Sequence, residues 1–132
     1  MARTHKRNFV KRDQTQTRSY SPAVITEGGR IVWLAGQTAA EDGQGRSLVG
    51  DFDGQARDIF RRLGATLEEA GGTLKDMVTM TVFITDARYG TRLTELRREI
   101  FGDDFAASAL ITVAGLARPE LLIEIQGIAV VG

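Results

Sequence analysis

Apolar and polar residues alternate one by one at the end of this chain and recur at three- and four-residue steps in its middle. The two periods separate strands from helices. Residues 121–131, LLIEIQGIAVV, predict a strand in which Leu121, Ile123, Ile125, Ala129 and Val131 face one way. Leu122, Glu124, Gln126, Ile128 and Val130 face the other, so a carboxylate and an amide interrupt an otherwise apolar surface. Such a face is covered by something and keeps one polar spot.

The other elements follow from the same periods. Tyr20–Ile25 and Arg30–Gln37 read as two strands of a hairpin around Glu27-Gly28-Gly29. The Gly-, Asp- and Gln-rich residues 39–50 read as a loop. Ala56, Ile59, Phe60, Leu63, Leu67 and Ala70 form one stripe of a helix over 53–70, with Asp51 or Asp53 to cap it and Gly71-Gly72 to end it. Gly64 lowers the propensity of that helix, and a close approach of helix to sheet would explain it. Residues 77–85 predict a strand with Val78, Met80, Val82 and Ile84 on one face and Thr79, Thr81, Phe83 and Thr85 on the other. A helix over 89–101 carries Leu93, Leu96 and Ile100 inward; a strand over 109–114 and a turn at 116–120 precede the last strand.

The order is β-β-α-β-α-β-β, with room for a short strand before it. Two helices cover one face of such a sheet. The second face, read as Leu110, Thr112, Phe83, Thr81, Leu122, Ile128 and Trp33, is too apolar for water, which predicts a homo-oligomer that packs sheet faces or edges together.

Composition narrows the chemistry. The 132 residues fit one domain, 1–132. Seventeen basic and seventeen acidic residues cancel, so no net field steers the chain to nucleic acid or membrane. Residues 1–18 are nevertheless a basic arm, with six Lys/Arg against Asp13. That arm suits RNA, an anionic surface or a targeting role, or is a solvated terminus that becomes a strand near Phe9-Val10. There is no cysteine, and the one histidine, His5, lies in the arm. A thiol nucleophile, a His-based triad and a zinc cluster are thereby disfavoured, and Asp103-Asp104 reads as a solvated turn, so no metal is expected. No apolar run reaches the length of a membrane span, and a cytoplasmic location is expected.

Several stretches in order, Tyr20-Ser21-Pro22-Ala23-Val24, residues 31–37 (IVWLAGQ), 67–72 (LEEAGG), 82–86 (VFITD), 111–116 (ITVAGL) and 123–129 (IEIQGIA), span about residues 20–131. Together they resemble the YjgF/RidA family of reactive-intermediate deaminases. The resemblance implies an α+β, chorismate-mutase-like fold with a mixed sheet, assembled as a homotrimer around a central barrel with small-molecule pockets between subunits. It also implies hydrolysis of enamines or imines to a keto acid and ammonia, without cofactor or metal. In that chemistry an arginine grips the substrate carboxylate, a glutamate holds the attacking water, and backbone groups beside the arginine position the substrate.

Carried over by position, Glu124 matches the water-holding glutamate, Tyr20 the pocket tyrosine and Gly36 the strand-end glycine. Thr94 stands at the place of a pocket asparagine, and Gln126 at that of a second glutamate. The family pattern Pro-Ala-Arg-Ser reads Ala106-Ala107-Ser108-Ala109, so Ser108 occupies the arginine position, Ala109 follows it, and Leu110 replaces a small residue. A serine cannot neutralise a carboxylate. Either the substrate is less anionic, or another cation enters the pocket. Arg97 and Arg98, three and four residues beyond Thr94 on the same helix, are the candidates, unless both lie on the solvated face with Arg92 and Glu95. Three functions stay open: an enamine/imine deaminase or related hydrolase, a non-catalytic binder of a small metabolite, and, favoured only by the basic arm, an RNA-directed ribonuclease or translation inhibitor.

Overall fold

The computed structural model describes residues 5–132. Its elements are β1 (Lys6–Phe9), α1 (Asp13–Gln16), β2 (Val24–Glu27), β3 (Arg30–Gln37), α2 (Phe52–Glu69), β4 (Met77–Ile84), α3 (Gly90–Phe101), β5 (Ala107–Thr112) and β6 (Ile123–Val131). Four strands form a mixed sheet in the order β3-β6-β4-β5, antiparallel except where β4 runs parallel to β5. The helices α2 and α3 pack on one face of it. No described helix is long and apolar enough to cross a membrane.

Burial of two apolar stripes against that face makes the core. Ile59, Leu63 and Leu67 from α2 and Leu93 and Leu96 from α3 meet Met80, Val82, Ile84, Ile123 and Ile125, all at most 2% exposed. The Asp51 carboxylate accepts from the Gly54 amide and caps α2. Gly71, at φ +80°, ends the helix, with the Gly72 amide donating to the Leu67 carbonyl. The buried Gln55 side chain donates to the Leu48 and Glu120 carbonyls and accepts from the Leu122 amide at 2.8 Å. It thereby fastens the entry to β6, the strand that carries Glu124.

The structure corrects four sequence readings. Gly28 and Gly29, both at positive φ, do turn the chain, but β2 pairs with β1 in a separate two-stranded sheet, and β3 pairs with β6. The segment from Tyr20 to Ala23 precedes the strand. In β4 a register shift between Met77 and Thr79 puts Met77 rather than Val78 into the core. In β5 the parallel register pairs Met80 with Ser108 and Val82 with Leu110, so Leu110 and Ser108 lie on the helix face, and Ala109 and Ile111 on the open one.

Gly64 is the fourth. A Cβ there would lie 3.5 Å from Leu74 Cγ, an ordinary contact, and no sheet atom approaches it. Gly64→Ala is therefore expected to stabilise the fold by about 0.5–1 kcal/mol, from helix propensity and the reduced freedom of the unfolded chain. A melting temperature that fell in the variant would contradict this.

The open face carries Trp33 at 73%, Ile31 at 58% and Ile111 at 42% exposed. Glu124 lies on it too, opposite Phe83. Of the basic arm, the described part is joined to the body by the ion pairs Arg7–Asp76 and Lys11–Asp104.

Candidate active site

One cavity of about 230 Å³ gathers most of the residues that the sequence singled out: Tyr20, Thr94, Arg97, Ser108 and Leu110, together with Arg18. It opens where the middle of α3, the edge strand β5 and the segment before β2 converge. Ser19 holds that segment in place. Its φ of 60° is unusual for a residue with a side chain, and its hydroxyl donates to the Thr94 carbonyl at 2.8 Å. Ser21 continues the contact as a parallel bridge to Ala107. Thr94 Oγ1 donates to the Gly90 carbonyl, one turn back along α3.

Arg97 dominates the cavity. It stems from the inward stripe of α3 and is only 3% exposed. Nη1 donates to Ser108 Oγ at 2.6 Å and Nη2 to the Arg18 carbonyl at 3.3 Å. Nε is buried without a partner. Burial pushes the guanidinium down to about 10, with Tyr20 opposing the shift and the like charge of Arg18 adding to it. The group is still a cation at neutral pH, and no carboxylate neutralises it among the described residues. A buried, unneutralised cation is costly, and an anion entering the cavity removes that cost. Arg98 does not enter: it is exposed and donates to the Gln16 carbonyl. Ala109 lies on the open face and does not line the cavity.

Glu124 and Gly36 form a second cluster on the other side of the sheet. A register shift between Leu34 and Gln37 sets Ala35 and Gly36 against the single residue Gln126 of β6. The bulge brings the bare Gly36 backbone under the Glu124 carboxylate, and a Cβ at position 36 would collide with Glu124 Oε2. Among the described residues no cation pairs with Glu124, which leaves both oxygens available to solvent.

Within one chain these clusters cannot act on the same atom. Ser108 shares a face with Met80, under the helices, whereas Glu124 shares a face with Phe83, away from them.

A family model described as Endoribonuclease L-PSP matches residues 12–131. The fold superposes on the Rid-family protein YyfB of Yersinia pestis, of unknown function, with a TM-score of 0.82 and 28% identity over 95% of this chain and 98% of that one. The chain belongs to the YjgF/RidA family. A RutC family protein of Pyrococcus horikoshii is 32% identical over 110 residues, 83% of this chain and 85% of its own. RidA of an Antarctic Psychrobacter is 31% identical with a TM-score of 0.70, over 86% of this chain and 89% of that one.

The cavity's guanidinium comes from α3 and meets β5 at Ser108, donating to its hydroxyl. Helical spacing from Thr94 made Arg97 and Arg98 the candidates for this. Arg18 was not foreseen as a cavity residue; its place two residues before Tyr20 was the only available signal.

Proposed function

We propose that this protein is a cofactor-independent enamine/imine deaminase or related hydrolase, acting on a small carboxylate-bearing metabolite in clefts between subunits of a homotrimer. The observation that carries the reading is Arg97: a buried guanidinium with no carboxylate partner among the described residues, in a cavity with Tyr20 and Thr94.

In this scheme Arg97 holds the substrate carboxylate through charge-assisted hydrogen bonds, with Ser108 fixing the guanidinium. Glu124 of a neighbouring copy holds a water against the imine carbon. Water adds to the C=N bond, the carboxylate accepts a proton from it and passes one to nitrogen, and collapse of the carbinolamine expels ammonia and leaves the carbonyl. The exposed apolar face around Trp33 and Ile31 supports the assembly that brings the clusters together.

Purified protein supplied with freshly generated 2-aminoacrylate, and with bulkier imines, is expected to release ammonia faster than buffer does. Equal rates with every imine would overturn the reading and leave a metabolite-binding protein. Gly36→Ala is expected to fold normally, since the obstructed group is a mobile side-chain end, yet to lose activity about tenfold or more as the carboxylate is displaced. Steady-state kinetics with a melting curve alongside check both halves of that statement.

A further inference from the structure

The six residues around the Arg97 cavity include two guanidinium groups and no acid. Of the other described arginines, all but the exposed Arg12, Arg30 and Arg98 pair with an acid. Arg7 pairs with Asp76, Arg92 with Asp53 and Arg57 with Glu99. The larger groove of about 510 Å³ beside β1 is basic as well, but there Arg7 and Lys11 already have Asp76 and Asp104. Arg18 and Arg97, by contrast, meet at one cavity without a counter-ion among the described residues.

Arg18 is not there through a loose loop. Its carbonyl accepts from Arg97 Nη2, and the next residue, Ser19, is 1% exposed, in the left-handed conformation and bonded to α3. The backbone at the cavity rim is thus fixed twice, and Arg18 is exposed, with its charge close enough to act on the Arg97 guanidinium. Like charges placed together raise each other's cost. A monoanion bound to Arg97 offsets one of them; a dianion offsets both.

Building on the deaminase reading above, we propose that the site selects an imine or enamine carrying two carboxylates, Arg97 holding the inner one and Arg18 the outer one. A cavity of about 230 Å³ falls below the roughly 300–1,000 Å³ of pockets that take drug-sized ligands, which suits a short-chain diacid. The product would be a 2-oxo diacid, and the reaction supplying the substrate is an oxidation or elimination on an amino diacid.

Calorimetric binding of stable 2-oxo acids tests this. Oxaloacetate and 2-oxobutyrate share a chain length, as do 2-oxoglutarate and 2-oxopentanoate, and each pair differs by the second carboxylate. In at least one pair the diacid is expected to bind about tenfold tighter at low ionic strength, with the preference shrinking as salt rises. Arg18→Gln should erase that preference and weaken monoacids far less than diacids, whereas Arg97→Lys should weaken both members, since an ammonium lacks the fork. Diacids that bind no tighter than monoacids, or an Arg18→Gln variant that keeps the preference, would overturn the dianion proposal alone. Failure of every acid to bind, or affinities indifferent to Arg97→Lys, would instead overturn the underlying deaminase reading and the proposal with it.

Discussion

Glu124→Gln is expected to lower the rate of ammonia release by about 10²–10⁴-fold, the range that positioned proton transfer supplies. The amide keeps the size of the side chain and its place over Gly36, so the fold and the affinity for 2-oxo acids should be unchanged. What is lost is the base. A glutamine can orient a water but cannot accept its proton or return one to nitrogen. Single-turnover kinetics together with calorimetry separate the two effects: chemistry should fall while binding stays. If binding fell with the rate, Glu124 would be a ligand contact or a structural group instead.

The second large effect separates binding from stability. Arg97→Met is expected to abolish carboxylate binding while leaving the stability of the ligand-free protein within about 1 kcal/mol of the parent's. The depression of Arg97 to about 10 corresponds to a burial cost of order 3 kcal/mol for the charged form. The two hydrogen bonds it donates, to Ser108 and the Arg18 carbonyl, come from a charged donor and return about 1.5 kcal/mol each, which offsets that cost. Methionine carries no such cost and fills similar space. Burial lowers this group below its ordinary value, so raising the pH through about 10 should relieve the cost in the folded state before the unfolded chain titrates. The parent should therefore gain stability relative to the variant above about pH 10, and carboxylate binding by the parent should fall over the same interval. Denaturant titrations at pH 7 and pH 10.5 check this; a large loss of stability in Arg97→Met at pH 7 would mean that the guanidinium is a structural brace.

Much of the fold was legible because one burial pattern decided each long element. The stripe from Ala56 to Leu67 and the alternation from Leu121 to Val131 each admit a single reading. Errors arose where pairing, not pattern, set the outcome. β1 has the sequence Lys-Arg-Asn-Phe, with one apolar residue, and nothing local announces that it will claim β2 as a partner. Nor does the composition of β5 say which of Ser108 and Ala109 faces the helices; its parallel register against β4 decides that, and a one-residue slip inverts every side chain. The bulge at Met77 is of the same kind.

Site residues divide along the same line. Helical spacing from Thr94 nominated Arg97 and Arg98 alike, and the contacts of each in the structure chose Arg97. Arg18 could not be nominated, because its position depends on the left-handed turn at Ser19 and on a carbonyl contact 79 residues away in sequence. Family resemblance singled out Gly36 and Glu124 separately, and only the bulge in β3 showed why they belong together. The Ser108 hydroxyl on β5 orients the Arg97 guanidinium that reaches it from α3.

The separation of Arg97 from Glu124 on opposite faces of one sheet makes the account depend on assembly. Subunit mixing addresses it directly. Arg97→Gln and Glu124→Gln should each be inactive alone. Unfolded together in equal amounts and refolded, they should regain about one quarter of parental activity, since a random cyclic trimer draws an intact Arg97 from one copy and an intact Glu124 from its neighbour at about one site in four. A refolded, fully mixed trimer as inactive as either variant alone would contradict the composite site.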